Sequence, residues 1–198
     1  IHRDAKPGYI VEENFRFLQR VGMNTLPSPM IFSDIQPCSV SLGEADLPQP
    51  VRVILSPTHR RPLRRWPELF WAELSHRLVR DWSCSVVWLW GPGESSVIRK
   101  ILELGGSGRQ APASSLSEAA GMIKSSDLFI GNSNGLSHIA IAVDTPSVQL
   151  HGPTSAVSWC PLNGRHHAVS SDGECIQDIS VDMVWSALEE VKDLCFRQ

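Results

Sequence analysis

The segment GNSNGLSH (Gly131–His138) leaves a run of buried-strand character and enters an apolar helix. Asn132, Ser133 and Asn134 are residue types that cap helices, and Gly135 lets a ligand approach the backbone. The unpaired N–H groups of a helix start favour an anion such as a diphosphate; a capped turn above a buried, hydrogen-bonded His138 explains the same residues equally well. A second segment, SPTHRRPLRRWP (Ser56–Pro67), carries the hydroxyls of Ser56 and Thr58 and the guanidinium groups of Arg60, Arg61, Arg64 and Arg65. Hydroxyls and planar guanidinium forks suit phosphate oxygens, although a solvated basic loop has the same composition. GPGESS (Gly91–Ser96) imitates the start of a dinucleotide fingerprint. It lacks the third glycine, and Pro92 removes a donor from the cradle, which argues against a nicotinamide or flavin site. Glu94 suits hydrogen bonds from a ribose or base, or the first turn of a helix. HGPTS (His151–Ser155) turns at Gly152-Pro153 and presents Thr154, either to a ligand or simply as part of the turn. No Ser-His-Asp order, carboxylate pair or metal motif is evident, and Cys160, His166, His167 and Cys175 follow no standard zinc spacing.

These segments must be positioned by regular elements. VRVIL (Val51–Leu55), CSVVWLW (Cys84–Trp90), DLFIG (Asp127–Gly131) and SVQLHG (Ser147–Gly152) have the apolar continuity of buried strands, with weaker candidates near Arg109–Ala113 and His167–Ser170. Between them the spacing predicts helices: one from Pro67 with Phe70, Leu74 and Leu78 on one face, one near Glu94–Leu104, a capping-box helix from Ser115 through Ile123, and one over Leu136–Val143. A last amphipathic helix carries Val181, Val184, Trp185, Leu188 and Val191. Strands alternating with helices at this pitch imply an α/β fold: a Rossmann-like parallel sheet with helices on both faces. Ligands bind such sheets beyond the carboxyl ends of the strands, and the four loops named above lie there.

Ahead of Val51, an amphipathic helix (Val11, Phe15, Leu18, with Gly22 as its stop) precedes Pro27–Pro50, a linker-like stretch with five prolines. The chain opens at Ile1, as expected of a fragment or processed product. Its 198 residues carry a net charge of −3, which gives no field for nucleic acid. Five arginines nonetheless fall between Arg52 and Arg65. Five widely spaced cysteines fit a reducing, cytoplasmic setting, and no apolar run reaches membrane-spanning length.

SDLFIGNSNGLSHIAIAVDTPSVQLHGPTSAVSWCP (Ser126–Pro161) resembles the signature of glycosyltransferase family 9, the lipopolysaccharide heptosyltransferases. In that family a strand is followed by Gly-Asn-Asp-Ser/Thr-Gly-x-x-His, a Thr-Pro strand, Phe-Gly-Pro-Thr and Trp-x-Pro. RRWPELFWAEL (Arg64–Leu74) resembles its Lys-x-Trp-Pro segment, and the likeness extends in order from Val51 to Leu188. The resemblance implies the C-terminal half of a GT-B glycosyltransferase: residues 1–50 the end of an N-terminal domain and its proline-rich linker, residues 51–198 the nucleotide-sugar-binding domain. It implies an inverting transfer of a heptose-like sugar from an ADP-heptose-like donor, without cofactor or metal, to a lipid-linked or glycan acceptor held by the N-terminal domain, which would also supply the general base. The expected setting is cytoplasmic, at the inner face of the inner membrane and with peripheral membrane association. On this likeness Ser56, Thr58 and Arg64 hold the donor phosphates, Glu94 lies near the nucleoside, Ser133, Asn134 and Gly135 meet sugar and diphosphate, and His138 supports the turn; Thr154 is a further hydroxyl contact. Two departures stand out. The family's lysine is Arg64 here, and its Asp-Ser/Thr pair is Ser133-Asn134. The second departure keeps two rival readings open: a degenerate, non-catalytic nucleotide- or glycan-binding module, and another GT-B enzyme such as a sugar-nucleotide epimerase.

Overall fold

The computed structural model describes residues 8–23, 30–33, 35, 51–171 and 175–195. Six strands form one all-parallel sheet: β1 (Arg52–Ser56), β2 (Ser85–Trp88), β3 (Arg109–Gln110), β4 (Leu128–Asn132), β5 (Ser147–His151) and β6 (His166–Ser170). Their order, β3-β2-β1-β4-β5-β6, is that of a doubly wound dinucleotide-binding fold. The order reverses between β1 and β4, whose register sets Leu55 beside Ile130 and Ser56 beside Gly131. Both β4 and β5 are buried along their whole length, as strands covered on two faces must be.

One face of the sheet presents Val53, Leu55, Leu128, Ile130, Val148 and Leu150 to α2 (Glu68–Trp82), α3 (Ser95–Glu103) and α7 (Val181–Cys195). A chain of edge-on aromatic contacts, Trp66 to Trp71 at 5.0 Å and Trp71 to Trp88 at 6.2 Å, fills the space beneath α2. The other face presents Ile54, Val87, Leu89 and Phe129 to α4 (Leu116–Lys124) and α5 (Gly135–Ala142). α4 opens on the expected capping box: the Glu118 N–H donates to Ser115 Oγ (3.2 Å), and the Ser115 N–H to Glu118 Oε2 (2.7 Å).

The expected helices and strands are present within a residue or two of their sequence-based limits. The first helix, α1 (Ile10–Arg20), ends before Gly22, whose φ of +91° is a conformation glycine adopts without strain. The weak strand near Arg109 shrinks to two residues at the sheet edge. Three elements were not expected: 3-10 turns at Pro62–Arg64 and Ile176–Asp178, and a four-residue helix, α6 (Ala156–Trp159). Such short pieces contain no full hydrophobic period. Most of the linker-like stretch Pro27–Pro50 lies outside the described residues.

Candidate functional site

Two asparagines fasten the loop after β1 to the loop after β4. Asn132, at the end of β4, donates from Nδ2 to the Pro57 carbonyl (2.6 Å) and accepts a long bond from the Trp66 N–H (3.4 Å). Asn134 caps α5, its Oδ1 accepting from the N–H groups of Leu136 (2.9 Å) and Ser137 (3.3 Å). Its Nδ2 donates to Ser56 Oγ (3.2 Å) and to the Thr58 carbonyl (3.0 Å). The Asn134 amide is thereby committed to protein partners. Two of the helix-start N–H groups offered to an anion on sequence grounds are taken by this cap, and the Gly135 N–H remains. A Cβ at Gly135 would meet no atom within 4 Å, so the backbone there is open.

The basic loop is also fixed from within. Arg65 Nε donates to the His59 carbonyl (2.5 Å), and its guanidinium pairs with Glu94 at 3.7 Å. Trp66 anchors the loop's exit, its indole N–H donating to the Ile179 carbonyl (2.7 Å). Arg64 is half-buried, and its guanidinium makes no hydrogen bond or ion pair among the described residues.

Between the fastened loops and α4 lies a cavity of about 720 Å³. One side is polar and basic: Thr58, His59, Arg60, Arg61, Arg64, Asn134 and Gly135. The other is largely apolar, from Leu89, Trp90, Leu116, Ala119 and Leu136, with Glu94 and the Ser114-Ser115 turn at its margin. The space is large enough for a small organic ligand. A planar apolar group fits the second side, and an anionic group meets free guanidinium and backbone N–H donors on the first.

Of the residues singled out in the sequence, Thr58, Arg64, Glu94, Asn134 and Gly135 converge on this cavity. Ser56, Ser133, His138 and Thr154 are not among its lining residues. Ser56 is fully buried and reaches the site through Asn134. Ser133 is half-buried, and its N–H extends the β5 ladder to Leu150 (3.0 Å). His138 packs against Trp159, ring centroids 5.8 Å apart, and burial holds its pKa below the ordinary histidine value. Thr154 Oγ1 is buried without a hydrogen-bond partner. His151, wholly buried with both ring nitrogens unpartnered, is held to a pKa of about 4, first by burial and then by the charges of His138 and Arg64.

Sequence reasoning passed over His59 and the wall formed by Leu89, Trp90, Leu116 and Ala119. The signal for Ser114 to Leu116 was available: they follow β3, on the same carboxyl edge as the other loops. Among the described residues, no group of three or more His, Cys, Asp or Glu side chains is placed to hold a metal ion.

A doubly wound parallel sheet with helices on both faces and a two-sided cavity at its switch point defines a Rossmann-like α/β domain. The chain belongs to glycosyltransferase family 9 (heptosyltransferase), whose model it matches over residues 2–184. It is 27% identical over 159 residues to lipopolysaccharide heptosyltransferase 2 of Salmonella typhimurium, covering 73% of this chain and 44% of that protein. With lipopolysaccharide heptosyltransferase 1 of Pseudomonas aeruginosa it shares 28% identity over 158 residues, 77% of this chain and 43% of the relative. The chain thus spans less than half the length of these two relatives. The solved structure of E. coli ADP-heptose lps heptosyltransferase II superposes with a TM-score of 0.71 at 26% identity, covering 98% of this chain and 64% of that one.

Proposed function

We propose that this chain is the donor-binding part of an inverting glycosyltransferase that moves a heptose-like sugar from a nucleoside diphosphate onto a cell-envelope glycan or lipopolysaccharide core acceptor. On this reading residues 51–198 form the donor domain, and residues 1–50 lead into it from the acceptor domain. The observation that carries the reading is the two-sided cavity, with unpaired Arg64 and the open Gly135 backbone opposite the apolar wall of Leu89, Leu116 and Leu136. Family membership and the ADP-heptose in the name of the E. coli relative support a base against the apolar side and a diphosphate against the basic side. Thr58 and Arg64 are the phosphate contacts, and Glu94 reaches the ribose from beside Arg65. Ser56, His138 and Asn134 shape the loops that hold them, while Ser133 and Thr154 border the donor sugar.

In the transfer, an acceptor hydroxyl attacks the anomeric carbon from the face opposite the leaving group. The bond from that carbon to the phosphate oxygen breaks, and its electron pair leaves on the diphosphate. Arg64 and the start of α5 stabilise the charge that develops there. The hydroxyl proton passes to a carboxylate base, which we place in the acceptor domain. The setting we propose is the cytoplasmic face of the inner membrane, reached peripherally; no helix among the described residues is long and apolar enough to cross a membrane.

A second reading, a non-catalytic nucleotide-binding module, is favoured by one observation. Where the family carries a carboxylate and a hydroxyl, this chain has Ser133, which does not line the cavity, and Asn134, whose amide is already fully engaged. Both readings require a nucleotide site. Calorimetric titration of ADP, UDP and GDP into the 198-residue chain tests it: saturable binding with ADP preferred is expected, and failure of all three to bind overturns both readings. Transfer of a sugar by the longer protein that contains the acceptor domain then separates the enzyme from the module.

A further inference from the structure

Glu94 stands at the N-cap of α3, where a carboxylate can accept from the helix-start N–H groups, yet its side chain makes no such bond. It folds back the other way. The Glu94 N–H donates to the Gly91 carbonyl (3.0 Å), closing a tight turn in which Pro92 precedes Gly93 at φ +79°, the order a type II turn favours. The carboxylate lies over Gly91, where a Cβ would sit 2.7 Å from Oε2. The other oxygen, Oε1, is 3.7 Å from Nη2 of Arg65. Arg65 is itself held by the bond from its Nε to the His59 carbonyl (2.5 Å). Glu94 lines the cavity and Arg65 does not, so the guanidinium approaches the carboxylate from behind. One side chain thus ties the loop after β1 to the loop after β2.

We propose that Arg65 is a positioning residue: it orients the Glu94 carboxylate for the ribose of a bound nucleotide, and so sets a preference for the ribonucleotide over its 2′-deoxy analogue. This inference rests on the nucleotide reading of the cavity, with Glu94 as the ribose contact. Stability does not account for the pair. The two side chains are 37% and 20% exposed and 3.7 Å apart, and ion pairs so open to water contribute little. Their relationship is directional. A glutamate with no cap bond is free to occupy several rotamers, and here Arg65 holds one carboxylate oxygen while the other rests over Gly91. The vicinal diol of a ribose presents two O–H donors. An ionised carboxylate is acceptor-only, with lone pairs enough for Arg65 and for both hydroxyls. The arginine's charge also offsets the repulsion between Glu94 and a diphosphate in the same cavity. A site that holds such an acceptor ready loses a charge-assisted hydrogen bond when the 2′ hydroxyl is missing.

Gly91 supplies an independent handle. Its backbone lies outside the left-handed region, so alanine is tolerated there, but the added Cβ must push the Glu94 carboxylate aside with Arg65 intact. The test is calorimetric titration of ADP and 2′-deoxy-ADP into the 198-residue chain and its variants. Wild type should prefer ADP by about tenfold or more, the ratio expected for a hydrogen bond to a charged group. In Arg65→Gln and in Gly91→Ala that ratio should fall toward unity, chiefly through weaker ADP binding. Arg65→Lys keeps the charge but not the fork that serves His59 and Glu94 together, and should lie between. A general loss of positive charge or of loop order weakens both ligands alike and leaves the ratio unmoved. An unchanged ratio in Arg65→Gln and Gly91→Ala therefore overturns the positioning role. Equal binding of the two ligands by wild type overturns it too, by removing Glu94 from the ribose, and leaves the nucleotide site standing. If the wild-type chain binds neither ligand, the nucleotide reading falls and this inference falls with it.

Discussion

Asn134 Nδ2 donates to Ser56 Oγ across 3.2 Å, bridging the two strand ends where the order of the sheet reverses. The same side chain caps α5 and holds the Thr58 carbonyl, so one amide serves both the helix and the basic loop. Asn134→Ala loses the cap and the bridge together, and should cost about 1–3 kcal/mol of stability, read by urea denaturation. Asn134→Asp keeps an effective cap but loses both donors and adds a charge beside the anion side. It should recover part of that stability while binding ADP more weakly than wild type. Equal ADP affinity in Asn134→Asp and wild type would show that the bridge does not shape the cavity.

Arg60, Arg61 and Arg64 all line the cavity, and of the three Arg64 alone is half-buried there, whereas Arg65 is spent on His59 and Glu94. Arg64→Ala should weaken ADP binding by about 1.5–3 kcal/mol, the range for a charge-assisted hydrogen bond. Arg61→Ala, in the exposed middle of the loop, should weaken it far less. Comparable losses at the two positions would mean a diffuse basic patch with no specific phosphate contact.

The contrast between these arginines shows where sequence was informative. The buried strands, the capping box at Ser115 and the four ligand-side loops were legible because each depends on neighbouring residues or a short period. Which of four arginines is engaged was not, because it depends on Glu94, brought alongside Arg65 only by the pairing of β1 with β2. Asn134 was legible as a cap. Its second task was hidden, since Ser56 lies 78 positions away. His59 sat unnoticed among basic neighbours, although it too lines the cavity.

Gly135 offers a separate handle on the cavity. A Cβ there meets nothing within 4 Å, so Gly135→Leu should leave stability unchanged or raise it slightly, leucine being the better helix former. The added side chain would occupy the space over the helix start and exclude a phosphate. ADP affinity should therefore drop at least tenfold in a variant that melts no earlier than wild type. Retained affinity would remove the start of α5 from the binding site.

His151 and His166 are both buried and held neutral, each with a pKa of about 4 and burial as the leading cause. In the unfolded chain each takes a proton near pH 6.5, so below that value the unfolded state binds more protons than the folded one. Their contribution is complete above pH 6.5, declines as pH falls toward 4, and levels off below it. Each residue contributes up to about 1.4 kcal/mol per pH unit to that decline. His151→Phe removes two unpartnered ring nitrogens and should leave stability at pH 7 unchanged or higher. It should also flatten the loss between pH 6.5 and pH 4, followed by denaturant midpoints. An unchanged slope would show that His151 does not titrate on unfolding.

The most direct measurement of the nucleotide reading is an amide NMR titration of the 198-residue chain with ADP. Saturable shifts should concentrate at Thr58, Arg64, Gly91, Leu116, Gly135 and Leu136, which together enclose the cavity, and should be absent from α1 and from the outer face of α7. Shifts that do not saturate, or that map to another face of the sheet, would contradict a nucleotide site at the switch point between β1 and β4.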